Sequence, residues 1–291
     1  MRSRAVFSIG LSLLVMLVMA CRQAQDERRF TLQGQVITVA PNHQEATIKH
    51  EEIRGFMPAM TMPYKVRSAK LLDGIAPGDL ITATLVVATN DAYLSELKKV
   101  GQAPLESARA DAPPASSGFE LLKAGDEVPD AHFVDQDARA RLFGSFKGSA
   151  VVLTFIYTRC PMPTFCPLMD RHFSILQKKL KDDAALNGHV HLVTVSFDPA
   201  TDTPAVLKKH ARTLGADPKT WTFLTGNRDE VDQFCARFGV SVARALDDPR
   251  NITHTLRTAI VNADGKLVKV YTGNEWTPEQ ILADLEPVVG S

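Results

Sequence analysis

The chain has 291 residues, and its 33 basic and 33 acidic side chains leave no net charge at pH 7. A length of this size predicts about two domains, each large enough for a core of its own. No excess or long block of one charge is present, which excludes nucleic-acid binding and electrostatic attachment to an acidic membrane as functions. Four cysteines are too few for a disulfide framework, so each cysteine has to be interpreted separately.

The N-terminus has the pattern of a signal peptide over residues 1–20. Arg2 and Arg4 precede a mostly apolar run that ends at Ala20-Cys21. The ending Leu-Val-Met-Ala-Cys resembles a bacterial lipobox, and this resemblance implies that Cys21 carries lipid and anchors the chain to a membrane. The alternative is an uncleaved anchor helix, for which the apolar run is short. Both interpretations place the body of the chain on the periplasmic side of the cell envelope, where disulfides can form.

Residues 29–101 are predicted to form a small all-β domain. Short alternating or apolar runs are separated by turn signals such as Pro41-Asn42 and Pro77-Gly78, a pattern typical of a β-barrel. The predicted strands are 34–40, 44–50, 60–66 and 79–88. This domain is followed by residues 102–118, which are rich in Ala, Pro and Ser and are predicted to be a linker. Such a tether keeps the two domains at a millimolar effective concentration of each other.

Methionines cluster in this first domain. Beyond the leader the chain has five methionines in two short segments, Met57, Met60 and Met62 here and Met162 and Met169 around the later cysteine loop. Core methionines would be expected to scatter, so this clustering indicates thioether ligation of a soft metal, Cu(I) first. Met60 and Met62 share one face of a strand, and His50 on a neighbouring strand is placed to complete the site. The alternative is that Met60 and Met62 pack inside the barrel.

The motif from Lys49 to Pro63 resembles the CusF-like periplasmic copper-binding domains, which are OB-fold barrels. The resemblance implies that this domain binds copper. Those domains have a tryptophan where Met57 stands here, so a third thioether replaces a cation–π contact.

Residues 119–291 are predicted to form an α/β domain with a parallel-rich sheet. The continuous apolar run 151–157 is typical of a central strand, and it leads into Cys160, Cys166 and a helical stripe that begins at Met169. Since Pro167 suits the first helical position, Cys166 is predicted at a helix N-terminus, where a thiolate is favoured. The two thiols indicate redox or soft-metal chemistry, and the alternative is that both are simply buried.

The rest of this domain is predicted to alternate strands and helices. Asp198 ends the strand 189–197, where it either orients a ligand, contacts a partner or caps a helix. Cys235 is interpreted as an inert core thiol. The helices are expected to start after Thr203, Asn227 and Thr277, and the last two are expected to open with capping boxes. The first of them is expected to face the sheet with Val206, Leu207, Ala211 and Leu214. Residues 261–266 are expected to form a hairpin turn.

Four segments resemble the Sco/SenC family in chain order: FIYTRCPMPTFCP, VSFDPATDTP, WTFLTG, and His254 before LRTAIVNADG. That family has a thioredoxin-like fold, binds copper through two cysteines and a distant histidine, and serves cytochrome oxidase assembly. The resemblance therefore implies a copper site at Cys160, Cys166 and His254. Five residues separate the cysteines here, whereas the family usually has three.

Four functions remain open from the sequence. The first is a copper metallochaperone that holds Cu(I) or Cu(II) and supplies an apo-cuproprotein such as the CuA subunit of cytochrome c oxidase. The second is enzymatic, a thiol–disulfide oxidoreductase whose redox pair would be Cys160 and Cys166. A peroxiredoxin and a copper-sequestering lipoprotein are the remaining alternatives. His254 favours the chaperone, because a simple dithiol reductase does not need a distant imidazole.

Overall fold

The computed structural model describes residues 27–105, 120–244 and 252–290. The signal peptide, Cys21 and most of the predicted linker lie outside these ranges. The described residues form two main sheets, one before and one after the linker segment. Within these residues no helix has the length and apolar sequence needed to cross a bilayer.

The first sheet has five strands in the order β3-β2-β1-β4-β5, with every pairing antiparallel. The strands are β1 (Arg28–Val39), β2 (Glu45–His50), β3 (Met60–Lys65), β4 (Asp79–Val87) and β5 (Ala92–Gln102). A parallel bridge between Val66 and Leu94 joins the two edges and closes the sheet into a barrel. The prediction missed β5, whose last residue is also the first residue of the predicted linker. Large aliphatic side chains fill the barrel, among them Leu32, Val36, Ile48, Ile81, Leu85 and Leu94.

The second sheet has seven strands in the order β14-β13-β8-β9-β10-β6-β7. These strands are β6 (His132–Asp135), β7 (Ala140–Leu142), β8 (Ala150–Ile156), β9 (Val190–Ser196), β10 (Trp221–Thr225), β13 (Arg257–Val261) and β14 (Leu267–Thr272), and β11 (Val242–Arg244) pairs with β12 (Ile252–His254) in a separate ribbon. Only the β8–β9 and β9–β10 pairings of this sheet are parallel. The prediction of a parallel-rich sheet is therefore wrong, because both flanks are built from antiparallel hairpins.

Four α-helices pack on this sheet within the described residues: α1 (Cys166–Asp182), α2 (Pro204–Leu214), α3 (Arg228–Arg237) and α4 (Pro278–Val289). The capping box at Thr277 is confirmed, with Gln280 as its reciprocal partner. Asn227 caps α3 through its side chain alone, so a full capping box there is wrong. Along α2 the buried face is narrower than predicted, because Val206 points to solvent with 36% of its surface exposed.

Strand β13, the first strand of the β13–β14 hairpin, begins beside the C-terminal end of the central strand β8. Because β13 runs antiparallel to β8, Thr258 lies opposite Thr154 and Val261 opposite Val151. The segment that leads into β13 therefore lies beside the end of β8, where the cysteine loop begins. The predicted proximity of these segments is correct, but the pairing that causes it is antiparallel rather than parallel.

Candidate metal centres

The cysteine loop lies between a fully buried strand and a helix. All seven residues of β8 are buried, which is why the apolar run could be recognised as a central strand. Helix α1 starts at Cys166 with Pro167 in its first turn, as predicted, and its stripe from Met169 onward is buried. Cys166 is buried and Cys160 is partly exposed, and neither forms a disulfide. The loop thus offers one accessible thiol and one enclosed thiol.

The two thiols differ in acidity. The Cys166 thiol, hydrogen-bonded to the sulfur of Cys160, holds the pKa of Cys160 well below its usual range, and His254 adds to this effect. Burial raises the pKa of Cys166 well above its usual range, and the neighbouring Cys160 raises it further. Burial at Cys166 therefore opposes the helix N-terminus, which was expected to favour a thiolate there.

His254 lies beside the cysteines, and both of its ring nitrogens have partners. Its Nδ1 is 3.2 Å from the Thr255 carbonyl oxygen, and a carbonyl only accepts, so Nδ1 carries a hydrogen. The other nitrogen, Nε2, is 3.8 Å from Cys166 Sγ. The imidazole packs against the rings of Phe197 and Tyr157, with centroids 4.6 and 5.6 Å away. In the neutral ring this arrangement leaves the metal-binding lone pair on Nε2, the nitrogen that lies beside Cys166.

The separation of Cys166 and His254 suits a shared metal ion. Bond lengths of about 2.3 Å to sulfur and about 2.0 Å to nitrogen put those two atoms about 3.7 Å apart around a trigonal ion. The observed 3.8 Å is close to this value. Within the described ranges, no three His, Cys, Asp or Glu side chains already form a closed metal-binding group.

Two buried carboxylates that sequence reasoning did not recognise as supports hold the loop in place. Asp202 accepts hydrogen bonds from the backbone N–H of Thr158 at 3.0 Å and from the hydroxyls of Thr158 and Ser196. Asp198 accepts one from Arg159 Nε at 2.9 Å. The interpretation of Asp198 as a helix cap is wrong, since Thr203 caps α2. Both carboxylates belong to the DPATDTP segment. The sequence shows this segment, but only the structure shows that it supports the cysteine loop.

Cys235 has a structural position. It is fully buried in α3, and burial raises its pKa well above the usual range. This agrees with the prediction of an inert core thiol.

The first domain brings His50 next to the methionine cluster. His50 lies directly opposite Met60 in the β2–β3 pairing, and Ile48 lies opposite Met62. Alternation along β3 puts Met60 and Met62 on one face, as predicted. Met57 is buried beside this face, and the hydroxyl of Tyr64 donates to its sulfur at 3.7 Å.

His50 has the same tautomer as His254. Its Nδ1 lies 2.7 Å from the Glu51 carbonyl oxygen and therefore carries the hydrogen. Its Nε2 is buried and has no hydrogen-bond partner among the described residues. Only 2% of the residue is exposed, so solvent does not supply a partner either. Burial also lowers the pKa of His50, which keeps the ring neutral. A buried lone pair without a partner costs free energy unless a ligand fills the place.

Both domains of the chain match models of known protein families. Residues 122–290 match the family model described as SCO1/SenC, and residues 29–99 match the model described as copper binding periplasmic protein CusF. The family resemblances stated from the sequence are therefore confirmed. Copper as the metal is confirmed by the description of the second model.

Individual relatives agree with this assignment. The SCO1 protein homolog of Bacillus subtilis is 34% identical over 162 residues, which are 55% of this chain and 81% of that protein. The human mitochondrial SCO2 homolog is 28% identical over 160 residues, covering 52% of this chain and 56% of that protein. The crystal structure of a SCO1/SenC family lipoprotein from Bacillus anthracis has a TM-score of 0.51 and 26% identity, covering 58% of this chain and 98% of that chain.

The structural likeness confirms the thioredoxin-like fold expected for the second domain. The SCO1/SenC match spans that domain from its first described residues to the last helix, and it covers more than half of the chain. This protein therefore belongs to the SCO1/SenC family.

Proposed function

We propose that this chain is a copper metallochaperone of the cell envelope, which holds copper at Cys160, Cys166 and His254 and delivers it to an apo-cuproprotein. The observation that carries the proposal is the approach of His254 Nε2 to Cys166 Sγ at 3.8 Å, beside a cavity that Cys160 lines. The two residues are 88 positions apart in the chain. An imidazole placed in its metal-binding tautomer beside two thiols is what a copper site needs.

Two thiolates and one imidazole would hold copper in either oxidation state. Sulfur favours Cu(I), while the imidazole nitrogen adds the harder ligand that Cu(II) requires. A cysteine sulfur binds copper in its deprotonated form, so the two thiol protons leave as copper arrives. The lowered pKa of Cys160 makes its proton the easier one to lose. The partly exposed Cys160 is also the ligand that a recipient protein reaches first.

The recipient we propose is the copper subunit of cytochrome c oxidase, with its CuA site, or a similar cuproprotein. Family membership supports this choice. We propose further that the chain works on the periplasmic side of a membrane, attached by lipid at Cys21, as its lipobox and its match to a periplasmic protein support. Mass spectrometry of the native protein should find lipidated Cys21 as the first residue, and retention of residues 1–20 would contradict the anchor.

A second candidate function is thiol–disulfide oxidoreduction. The observation that favours it is the asymmetry of the pair, with a partly exposed Cys160 of low pKa next to a buried Cys166 of high pKa. In such a pair the first thiol attacks a client disulfide and the second resolves the mixed disulfide. The same thiols would serve both functions.

Copper titration of the full chain separates the two. The reduced chain should bind one copper more than a chain with Cys160→Ser and Cys166→Ser, and the Cu(II) form should show thiolate charge-transfer absorption. Oxidation to the disulfide should release this copper, because the disulfide has no thiolate left to bind it. If reduced wild-type and variant bind equal copper while the wild type reduces client disulfides, the chain is a reductase.

A further inference from the structure

The two candidate metal centres open into the same cavity. Its volume is about 630 Å³, and it lies between the two domains. From the first domain Met57, Met60 and Met62 line it, and from the second domain Cys160 and His254 do so. Copper leaving one centre would therefore enter a space that the other centre already faces.

Met162 occupies the boundary between these centres. It belongs to the five residues between the cysteines, yet its side chain is only 4% exposed and packs with the buried core of the first domain. Its carbonyl oxygen lies 3.9 Å from Cys160 Sγ. Met162 also lines the shared cavity together with the first-domain methionines. Its backbone thus belongs to the cysteine loop, while its side chain packs in the core cluster that contains Met57 and Met62.

Hydrogen bonds hold the loop in this projecting form. Asn274 Nδ2 donates to the Thr164 carbonyl at 2.7 Å, and an Arg171 guanidinium nitrogen donates to the Pro163 carbonyl at 2.9 Å. A turn bond joins the Phe165 N–H to the Met162 carbonyl at 3.1 Å. The position of Met162 is therefore built into the folded loop.

An ion pair joins the rims of the two domains. Lys65 Nζ, at the end of β3, lies 3.5 Å from a carboxylate oxygen of Glu275. Both side chains are largely exposed, so this pair contributes little to holding the domains together.

We propose that Met162 is an interdomain copper ligand, whose thioether completes the Cu(I) site of the first domain and passes Cu(I) on to Cys160. This inference rests on the proposed function, since it requires copper at both centres.

The transfer is a ligand exchange without electron transfer. Copper stays Cu(I), its bonds to neutral thioethers break, and bonds to thiolate sulfur form in their place. The protons of the thiols leave to water through the open cavity. Anionic thiolates hold Cu(I) more tightly than thioethers do, so the direction is from the methionines to the cysteines.

Ligation is tested in the full chain with Cys160→Ser and Cys166→Ser, where only the first centre binds copper. In this background Met162→Leu should weaken Cu(I) binding about tenfold, or about 1.4 kcal/mol, and X-ray absorption should count one sulfur fewer around copper. Leucine keeps the volume of methionine and removes only the sulfur. The matched control is Met169→Leu, which changes a buried methionine of α1 that does not line the cavity. Met162→Ile repeats the test with a second side chain that lacks sulfur.

Transfer is tested with the thiols present. The chain is loaded with Cu(I) while Cys160 and Cys166 form a disulfide, which does not bind copper, and an excess of reductant then frees both thiols faster than copper moves. Thiolate charge-transfer absorption should grow with a first-order rate that does not depend on protein concentration, and Met162→Leu should slow it about tenfold relative to Met169→Leu.

Equal affinity, sulfur count and rate in the Met162 and Met169 variants would overturn the inference, as would a rate proportional to protein concentration. If the thiol pair takes no copper at neutral pH even at equilibrium, the proposed function fails. The affinity and the sulfur count at the first centre then still decide whether Met162 is a ligand.

Discussion

Replacing Asp202 with asparagine tests whether a buried carboxylate supports the cysteine loop. Asp202 is fully buried and accepts three hydrogen bonds, from Thr158 N–H at 3.0 Å, Thr158 Oγ1 at 2.5 Å and Ser196 Oγ at 2.6 Å. A bond to a charged acceptor contributes about 1.5–3 kcal/mol and a neutral one about 0.5–1.5 kcal/mol. Asparagine has the same shape without the charge, and only one of its two terminal atoms accepts hydrogen bonds. With its oxygen toward Thr158 N–H and Ser196 Oγ, those two bonds weaken by about 1 kcal/mol each, and its NH2 group faces Thr158 Oγ1, where the charge-assisted bond is lost. The free energy of unfolding should therefore fall by about 3 kcal/mol.

The assay is chemical and thermal unfolding of the reduced, copper-free chain. A loss of this size should lower the melting temperature of the second domain by about 6–12 °C. Since Thr158 lies two residues before Cys160, the thiol loop should also loosen, and copper affinity at the second centre should fall with stability. The matched control is Asp217→Asn, an exposed carboxylate that accepts from Lys219 N–H, which should change stability by less than about 0.5 kcal/mol. If Asp202→Asn lowers the free energy of unfolding no more than the control does, Asp202 does not support the cysteine loop.

Three further predictions follow from the first domain and its connection. Replacing Met60 and Met62 together with leucine should abolish Cu(I) binding there whether or not the thiols are oxidised, and retained affinity in a titration would make both methionines core residues. Gly34→Ala should lower the melting temperature of the barrel, because the added Cβ would lie 2.5 and 2.8 Å from main-chain atoms of β2. The control Gly101→Ala, whose added Cβ would lie 3.6 Å from its nearest neighbour, should not lower it. Equal melting temperatures of the two variants would contradict this prediction. Limited proteolysis should cut first within 102–118 and leave two fragments that each unfold cooperatively, and a single transition lost on cleavage would contradict the domain boundary.

The features that could be predicted are those fixed by neighbouring residues in the sequence. The buried run of β8, the prolines of the loop and the start of α1 follow from local pattern, and so did the position of Cys166. The common face of Met60 and Met62 follows from the alternation of a strand in the same way. His254 came only from the family resemblance, because nothing in its own segment indicates a ligand.

The features that could not be predicted depend on packing across the chain. The acidity of the two cysteines is set by their burial and by each other, so the helix N-terminus alone does not determine it. The antiparallel pairing of β13 with β8 is a choice of topology, since its apolar run fits either direction. Asp202 is an ordinary turn residue in the sequence, and only the fold surrounds it with donors. Likewise, no pattern indicates that Met162 packs against a domain far from it in the chain.

We propose above that His254 binds copper together with the two cysteines. The most direct measurement compares Cu(I) and Cu(II) binding by His254→Ala with that by His189→Ala, an exposed histidine just before the start of β9. Loss of His254 should weaken Cu(II) at least about tenfold and Cu(I) much less, because two thiolates hold Cu(I) linearly while Cu(II) needs nitrogen. The His189 variant should match the wild type. Unchanged Cu(II) spectra and affinity in His254→Ala, with thiol reductase activity retained, would contradict the claim and favour the oxidoreductase.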